Sequence, residues 1–146
     1  MKKVIFVCFT VIAMVLAVSS CENESKVPKS YKVYWDITNF NYEPSSEITN
    51  LLRAFDEGIA QGSYGDSIKN HGFIVKDVPY SEYKRIREET TALTDQVDAQ
   101  LRENWKPTKR YRVRIYCYCE DDYDYYSTNG SSTEVWATYT YKKYSE

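Results

Sequence analysis

The chain has 146 residues, with 19 Lys and Arg against 21 Asp and Glu and a formal net charge of −2. That length supports one domain with a real core, and the charge balance offers no basic surface for nucleic acid. Of the four cysteines only Cys117 and Cys119 lie beyond residue 21, too few for a disulfide framework, and with a single histidine they form no recognisable zinc set.

Residues 1–21 read MKKVIFVCFTVIAMVLAVSSC. Lys2 and Lys3 precede an apolar run over residues 4–18, broken only by Thr10, and then come Ser19, Ser20 and Cys21. As a helix the run would span about 22 Å, short of the ~30 Å hydrocarbon core of a bilayer. A cleaved signal fits it better than a permanent span. Val18-Ser19-Ser20-Cys21 resembles the lipobox of bacterial lipoproteins, with Val18 and Ser20 as departures from its commonest form. The resemblance covers 21 residues and implies that Cys21 is diacylated, becomes the first residue after cleavage and is then N-acylated. The partner so implied is a membrane, held through acyl chains on Cys21. Two or three chains, at about 0.8 kcal/mol per buried methylene, anchor a soluble domain durably. The alternative is a secretory signal cleaved near Ser20, with Cys21 left as a thiol. Glu22 is not the aspartate that marks inner-membrane retention in some bacteria. Glu22 and Glu24 loosely resemble a surface-export signal of Gram-negative gut bacteria, so the expected location is the outer membrane, with its face open.

Three segments are expected: a signal peptide over 1–20, a lipidated cysteine and tether over 21–30, and one α+β domain over 31–146. The mature part holds all the acids and 17 of the basic residues, for a net charge of −4. Residues 22–30 are polar and contain Pro28, giving a coil with a reach of roughly 17 Å. Residues 31–40 alternate, with Tyr31, Val33, Trp35 and Ile37 opposite Lys32, Tyr34, Asp36 and Thr38, which is the pattern of a half-buried strand. After a turn at 41–44, Ser45 or Ser46 caps a helix whose apolar stripe is Ile48, Leu51, Leu52, Phe55 and Ile59. Gly58 weakens its last turn, and Gly62 and Gly65 end it.

Residues 73–78 form a short strand closed by Pro79. Ser81 then caps a long helix to about Trp105, with Tyr83, Ile86, Thr90, Leu93, Val97, Leu101 and Trp105 along one face. Residues 110–119 are the clearest strand, with Tyr111, Val113, Ile115, Cys117 and Cys119 opposite Arg110, Arg112, Arg114, Tyr116 and Tyr118. In the last strand, 134–142, Val135, Ala137, Tyr139 and Tyr141 oppose Trp136, Thr138 and Thr140. Asn129-Gly130 is a type I′ hairpin signal. A two-residue turn there pairs odd with even residues and puts Cys117 on the same face as Trp136, so either a bulge within 120–126 or a longer turn restores the phase, and the bulge is the preferred reading. The expected fold is α+β: an antiparallel sheet of three or four strands with two amphipathic helices packed on one face.

The other sheet face is the candidate binding surface. It is expected to carry Tyr34, Arg110, Arg112, Arg114, Tyr116, Tyr118 and Trp136, with Lys32 beside them. Arginines among aromatic rings can hold an anionic or sugar-like ligand by charge-assisted hydrogen bonds and stacking. The same pattern also describes a solvated face whose arginine stems cover tyrosine rings. A flat sheet favours a protein partner over a small molecule.

Cys117 and Cys119 read as two buried free thiols, since their i, i+2 spacing on a strand strains a bridge. Residues 120–124 are rich in carboxylates but lack the order of a calcium loop, and His71 has no nucleophile motif near it. Asp66-Ser67-Ile68 resembles a short O-glycosylation site of exported gut-bacterial proteins. No enzyme activity, cofactor, metal or nucleic acid is expected. The reading is an envelope lipoprotein that serves as a binding or accessory module for a protein or glycan. The alternative is an envelope inhibitor or immunity-type protein that blocks a toxin or hydrolase.

Overall fold

The computed structural model describes residues 27–39, 44–120 and 133–144. Strand β1 (Lys29–Asn39) is followed by helix α1 (Ser46–Ile59), a 3-10 turn (Gly65–Ser67) and β2 (Gly72–Val78). Helix α2 (Tyr80–Asn104), β3 (Tyr111–Cys119) and β4 (Thr133–Tyr141) complete the chain. The sheet order is β2-β1-β3-β4, and every neighbouring pair is antiparallel. This is the expected α+β fold, with four strands. β1 begins at Lys29, two residues inside the stretch read as tether.

Strand alternation decides where the core lies. Tyr31, Val33 and Trp35 of β1 and all five odd-numbered residues of β3 are buried, while their even neighbours are half-buried or exposed. Leu51, Phe55 and Ile59 of α1 and Ile86, Thr90, Thr94 and Val97 of α2 are buried too. Contacts from the odd face run to both helices: Trp35 Nε1 donates to Asp56 of α1 at 2.8 Å, and the Tyr139 hydroxyl donates to Asp95 of α2 at 2.7 Å. One face of the sheet is therefore covered by both helices.

The helix ends show which local signals prevailed. Ser45 caps α1, its side chain accepting from the Ile48 N–H at 3.3 Å. Helix α2 starts one residue before the expected Ser81 cap, behind Pro79, which makes no side-chain cap. The Pro79 carbonyl instead takes the N–H groups of Glu82 and Tyr83, at 3.0 and 3.1 Å. Helix α1 ends at Ile59 with Ala60 as its C-cap, short of the expected Gly62 and Gly65, and Gly58 lies inside its last turn. A Cβ there would sit 2.1 Å from Val97 Cγ2, so this glycine lets α1 and α2 approach closely.

The tyrosine excess, fifteen in the chain, has a structural use. Rings fill the core while their hydroxyls reach acids at its rim. Tyr141 donates to Asp98 at 2.9 Å, Tyr64 to Glu82 at 3.0 Å and Tyr111 to Glu47 at 3.1 Å. Tyr83 likewise donates to Glu134. Thr94, fully buried on α2, pairs its hydroxyl with that of Tyr139 at 2.7 Å, so its polarity carries no desolvation cost.

The β3–β4 register corrects one expectation. Tyr111 pairs with Tyr141 and Ile115 with Ala137, but Tyr116 pairs with Val135 and Cys117 with Glu134. The extra residue is Trp136, in β4, and not a residue within 120–126. Near the hairpin end even residues do pair with odd ones, but Tyr118 meets Thr133 and not the Tyr141 that a two-residue turn at Asn129-Gly130 would give it; the Trp136 bulge restores odd-to-odd pairing beyond. Asn129 and Gly130 themselves lie outside the described residues.

Candidate functional site

The open face of the sheet is built by the even positions of β1 and β3. Tyr34 and Tyr116 are register partners whose rings stack, centroids 5.0 Å apart at an interplanar angle of 17°. Lys32 Nζ sits 5.6 Å from the Tyr34 ring, and Arg114 donates to the Tyr116 hydroxyl at 3.5 Å. Arg112, Arg114, Tyr116 and Tyr118 are all half-buried, because neighbouring side chains on a pleated face cover one another. Burial, and then the neighbouring Tyr116, push the Tyr34 phenol above its ordinary range. Arg110 is exposed and immediately precedes β3.

Trp136 does not join this surface. It is 8% exposed, donates through Nε1 to Glu134 at 3.2 Å and meets the Tyr83 ring edge-on at 5.8 Å. The bulge turns it to the helix side and puts Val135 in its place on the open face. Val135 is 47% exposed there, and Ile74, the register partner of Lys32 on β2, is 46% exposed. Sequence alternation hides both residues: it assigns Val135 to the core and gives Ile74 no distinct place.

The remaining candidates separate clearly. Cys117 and Cys119 are buried thiols not joined in a disulfide, as expected. Burial, and then the nearby Glu134 carboxylate, push the Cys117 thiol up to about 12, which suppresses thiolate chemistry. His71 stands far from them in role: its Nδ1 lies 2.9 Å from each oxygen of Asp56, the same carboxylate that holds Trp35. Asn70 and His71 both take positive φ, 53° and 59°, and the Lys69 N–H reaches the Gly72 carbonyl at 2.7 Å, closing a tight turn into β2. The Asp56 pair thus positions a strained turn. Ser67 is exposed in the 3-10 turn. Among the described residues no three or more His, Cys, Asp or Glu side chains come together as a metal site. Cys21 and most of the carboxylate-rich stretch after Glu120 lie outside the described residues. No helix among the described residues is long and apolar enough to cross a membrane.

A concave region lies on the helix side, between α1 and α2 and reaching Trp105. It is lined in part by Gln96, Gln100 and Asn104, four residues apart on α2 and beside the apolar stripe. That spacing is readable in the sequence, but an exposed amide row looks like any solvated helix face.

Compared with known proteins, the chain matches no protein family, no curated protein and no solved structure.

Proposed function

We propose that this chain is a lipid-anchored envelope protein, tethered through Cys21, that acts as a binding module by docking a protein partner on the open face of its sheet. One observation carries the docking. The helices cover one sheet face, and the other presents a stacked Tyr34–Tyr116 pair flanked by Arg112 and Arg114, with Ile74 and Val135 exposed beside it. Aromatic rings, arginine and isolated apolar side chains on a flat surface form the usual chemistry of a protein-recognition patch. The lipobox-like Val18-Ser19-Ser20-Cys21 supports the anchor and the envelope location.

The two parts have separate tests. Intact-mass measurement on protein from the native host is expected to give a chain beginning at Cys21 and carrying fatty acids. A chain that retains Met1, or one without lipid, refutes the anchor. A photo-crosslinking amino acid at Tyr116 or Val135 should give a discrete adduct in the native envelope that is lost with Arg112→Glu/Arg114→Glu. The same label at Ala92, exposed on α2, should give none. Equal labelling from both faces removes the docking proposal.

A further inference from the structure

The concave region at Trp105 consists of two adjoining cavities. The first, about 470 Å3, runs between α1 and α2, and the second, about 410 Å3, lies between the end of α2 and residues 141–144. Both are within the size range of ligand sites, and Leu101 and Trp105 line both of them. Trp105 is half-buried and is set in place by Tyr111 and Tyr141, with ring centroids at 5.7 and 5.5 Å.

The two halves differ in chemistry. Around the first cavity stand the carboxamides of Gln61, Gln96, Gln100 and Asn104. Gln61 and Asn104 each give one amide N–H to a backbone carbonyl, of Glu57 and Gln100, and the remaining donors and the acceptor oxygens are the combination that pairs with hydroxyl groups. Around the second stand Arg102, Lys142 and Lys143, and Lys106 Nζ lies 4.6 Å from the Tyr144 ring. Asp98 engages Arg102 at 3.0 Å. Lys142 and Lys143 are exposed and form no ion pair among the described residues.

We infer that this groove binds an acidic polysaccharide chain. A sugar ring would lay its C–H face on Trp105, place its hydroxyls among the amides and direct an anionic substituent to Lys142 and Lys143. An amphipathic peptide helix fits less well, because it requires a continuous apolar trough, and here carboxamides rim the apolar atoms. β1 begins at Lys29, beside Val78, and ends at Asn39, beside Tyr111 and hence near Trp105. Trp105 thus lies near the opposite end of β1 from Lys29, about 30 Å along the strand.

The test uses the full chain in non-ionic detergent and does not depend on the anchor. Trp35 and Trp136 are buried, so acrylamide quenching of tryptophan fluorescence reports mainly Trp105. Polygalacturonate (carboxylate only) and chondroitin sulfate (carboxylate and sulfate) are titrated beside neutral dextran. At least one acidic polymer should protect Trp105 saturably, and which one does so identifies the anionic group. Dextran should protect at least tenfold more weakly. Lys142→Glu/Lys143→Glu and, separately, Gln96→Ala/Gln100→Ala should each weaken the protection about tenfold. All four side chains are exposed, so circular dichroism should show unchanged folding. No protection by any polymer overturns the inference, as does equal protection by dextran. Loss with the lysine pair but not with the glutamine pair also overturns it, because that would be bare charge attraction with no sugar recognition.

Discussion

The neighbours Trp136 and Val135 give the sharpest test of the sheet register, because strict alternation and the observed bulge assign them to opposite faces. Trp136 is 8% exposed beneath α2, whereas Val135 is 47% exposed on the open face. A buried tryptophan removes on the order of 200 Å2 from water, which at about 25 cal/mol per Å2 corresponds to roughly 5 kcal/mol. Truncation to alanine keeps the Cβ and allows partial collapse, so Trp136→Ala should cost about 3–5 kcal/mol. For a domain of this size that lowers the melting temperature by roughly 15 °C. Val135→Thr removes little buried area and should stay within about 0.5 kcal/mol. Urea unfolding followed by circular dichroism measures both, with a common slope as the check on two-state behaviour. A costly Val135→Thr beside a nearly neutral Trp136→Ala would show that β4 lies in the other phase.

Arg112→Glu/Arg114→Glu should leave the fold intact, with a cost within about 1 kcal/mol, since both side chains are half-buried on the uncovered face; a collapse of the melting transition would place them inside. Cys117 and Cys119 should resist iodoacetamide at pH 8 until denaturant is added, as peptide mapping would show, because burial holds Cys117 near 12; rapid native labelling would contradict the packing. Tyr83, Tyr139 and Tyr141 all have phenols pushed upward, first by burial and then by the carboxylates Glu134, Asp95 and Asp98. The unfolded chain ionises these groups near pH 10 while the folded chain keeps them neutral, so stability should fall as pH rises above about 10. Absorbance at 295 nm should then show a late, cooperative tyrosine step coinciding with loss of circular dichroism, and a single non-cooperative titration would refute it. Gly58→Ala improves helix propensity by roughly 0.5–1 kcal/mol yet collides with Val97, so it should destabilise by about 1–3 kcal/mol and be partly rescued by Val97→Ala; a stabilised Gly58→Ala protein would mean that the helices are not in contact there.

Most of the architecture was legible wherever one physical signal acted alone. The two-residue alternation of β1 and β3 sorts core from open face correctly, and the stripe Leu51, Phe55, Ile59 identifies the buried side of α1. The failures occur where two signals compete. In β4, alternation places Val135 inside and Trp136 outside, and a single inserted residue reverses them. On α2, polarity leaves Thr94 off the apolar stripe, and only the facing Tyr139 hydroxyl, 45 residues away, makes its burial favourable. Gly58 reads as a weak last turn because its neighbour Val97 belongs to another helix. The candidate open face was legible except for Trp136, which rests on the same bulge. The groove at Trp105 was not, since it requires α1, α2 and the chain end at residues 141–144 to meet.

The two proposed surfaces can act independently because the sheet separates them. Arg112 and Tyr111 are sequence neighbours, yet alternation sends Arg112 to the open face, while Tyr111 packs against Trp105 on the helix side. A substitution that changes the charge of one surface therefore leaves the aromatic floor of the other in place, and energies measured at the two should add. If Cys21 anchors the chain as proposed, its attachment lies on the Lys29 side of β1. The open face lies along the length of the strands, whereas the groove runs along α2 on the opposite side and reaches Trp105 near the Asn39 end of β1. If both proposals hold, the domain binds a protein on the open face and a polysaccharide in the groove at once. Arg112→Glu/Arg114→Glu should then abolish the crosslinked adduct without altering protection of Trp105, and Lys142→Glu/Lys143→Glu should do the reverse. If either variant disturbs both readouts, the two surfaces are one site.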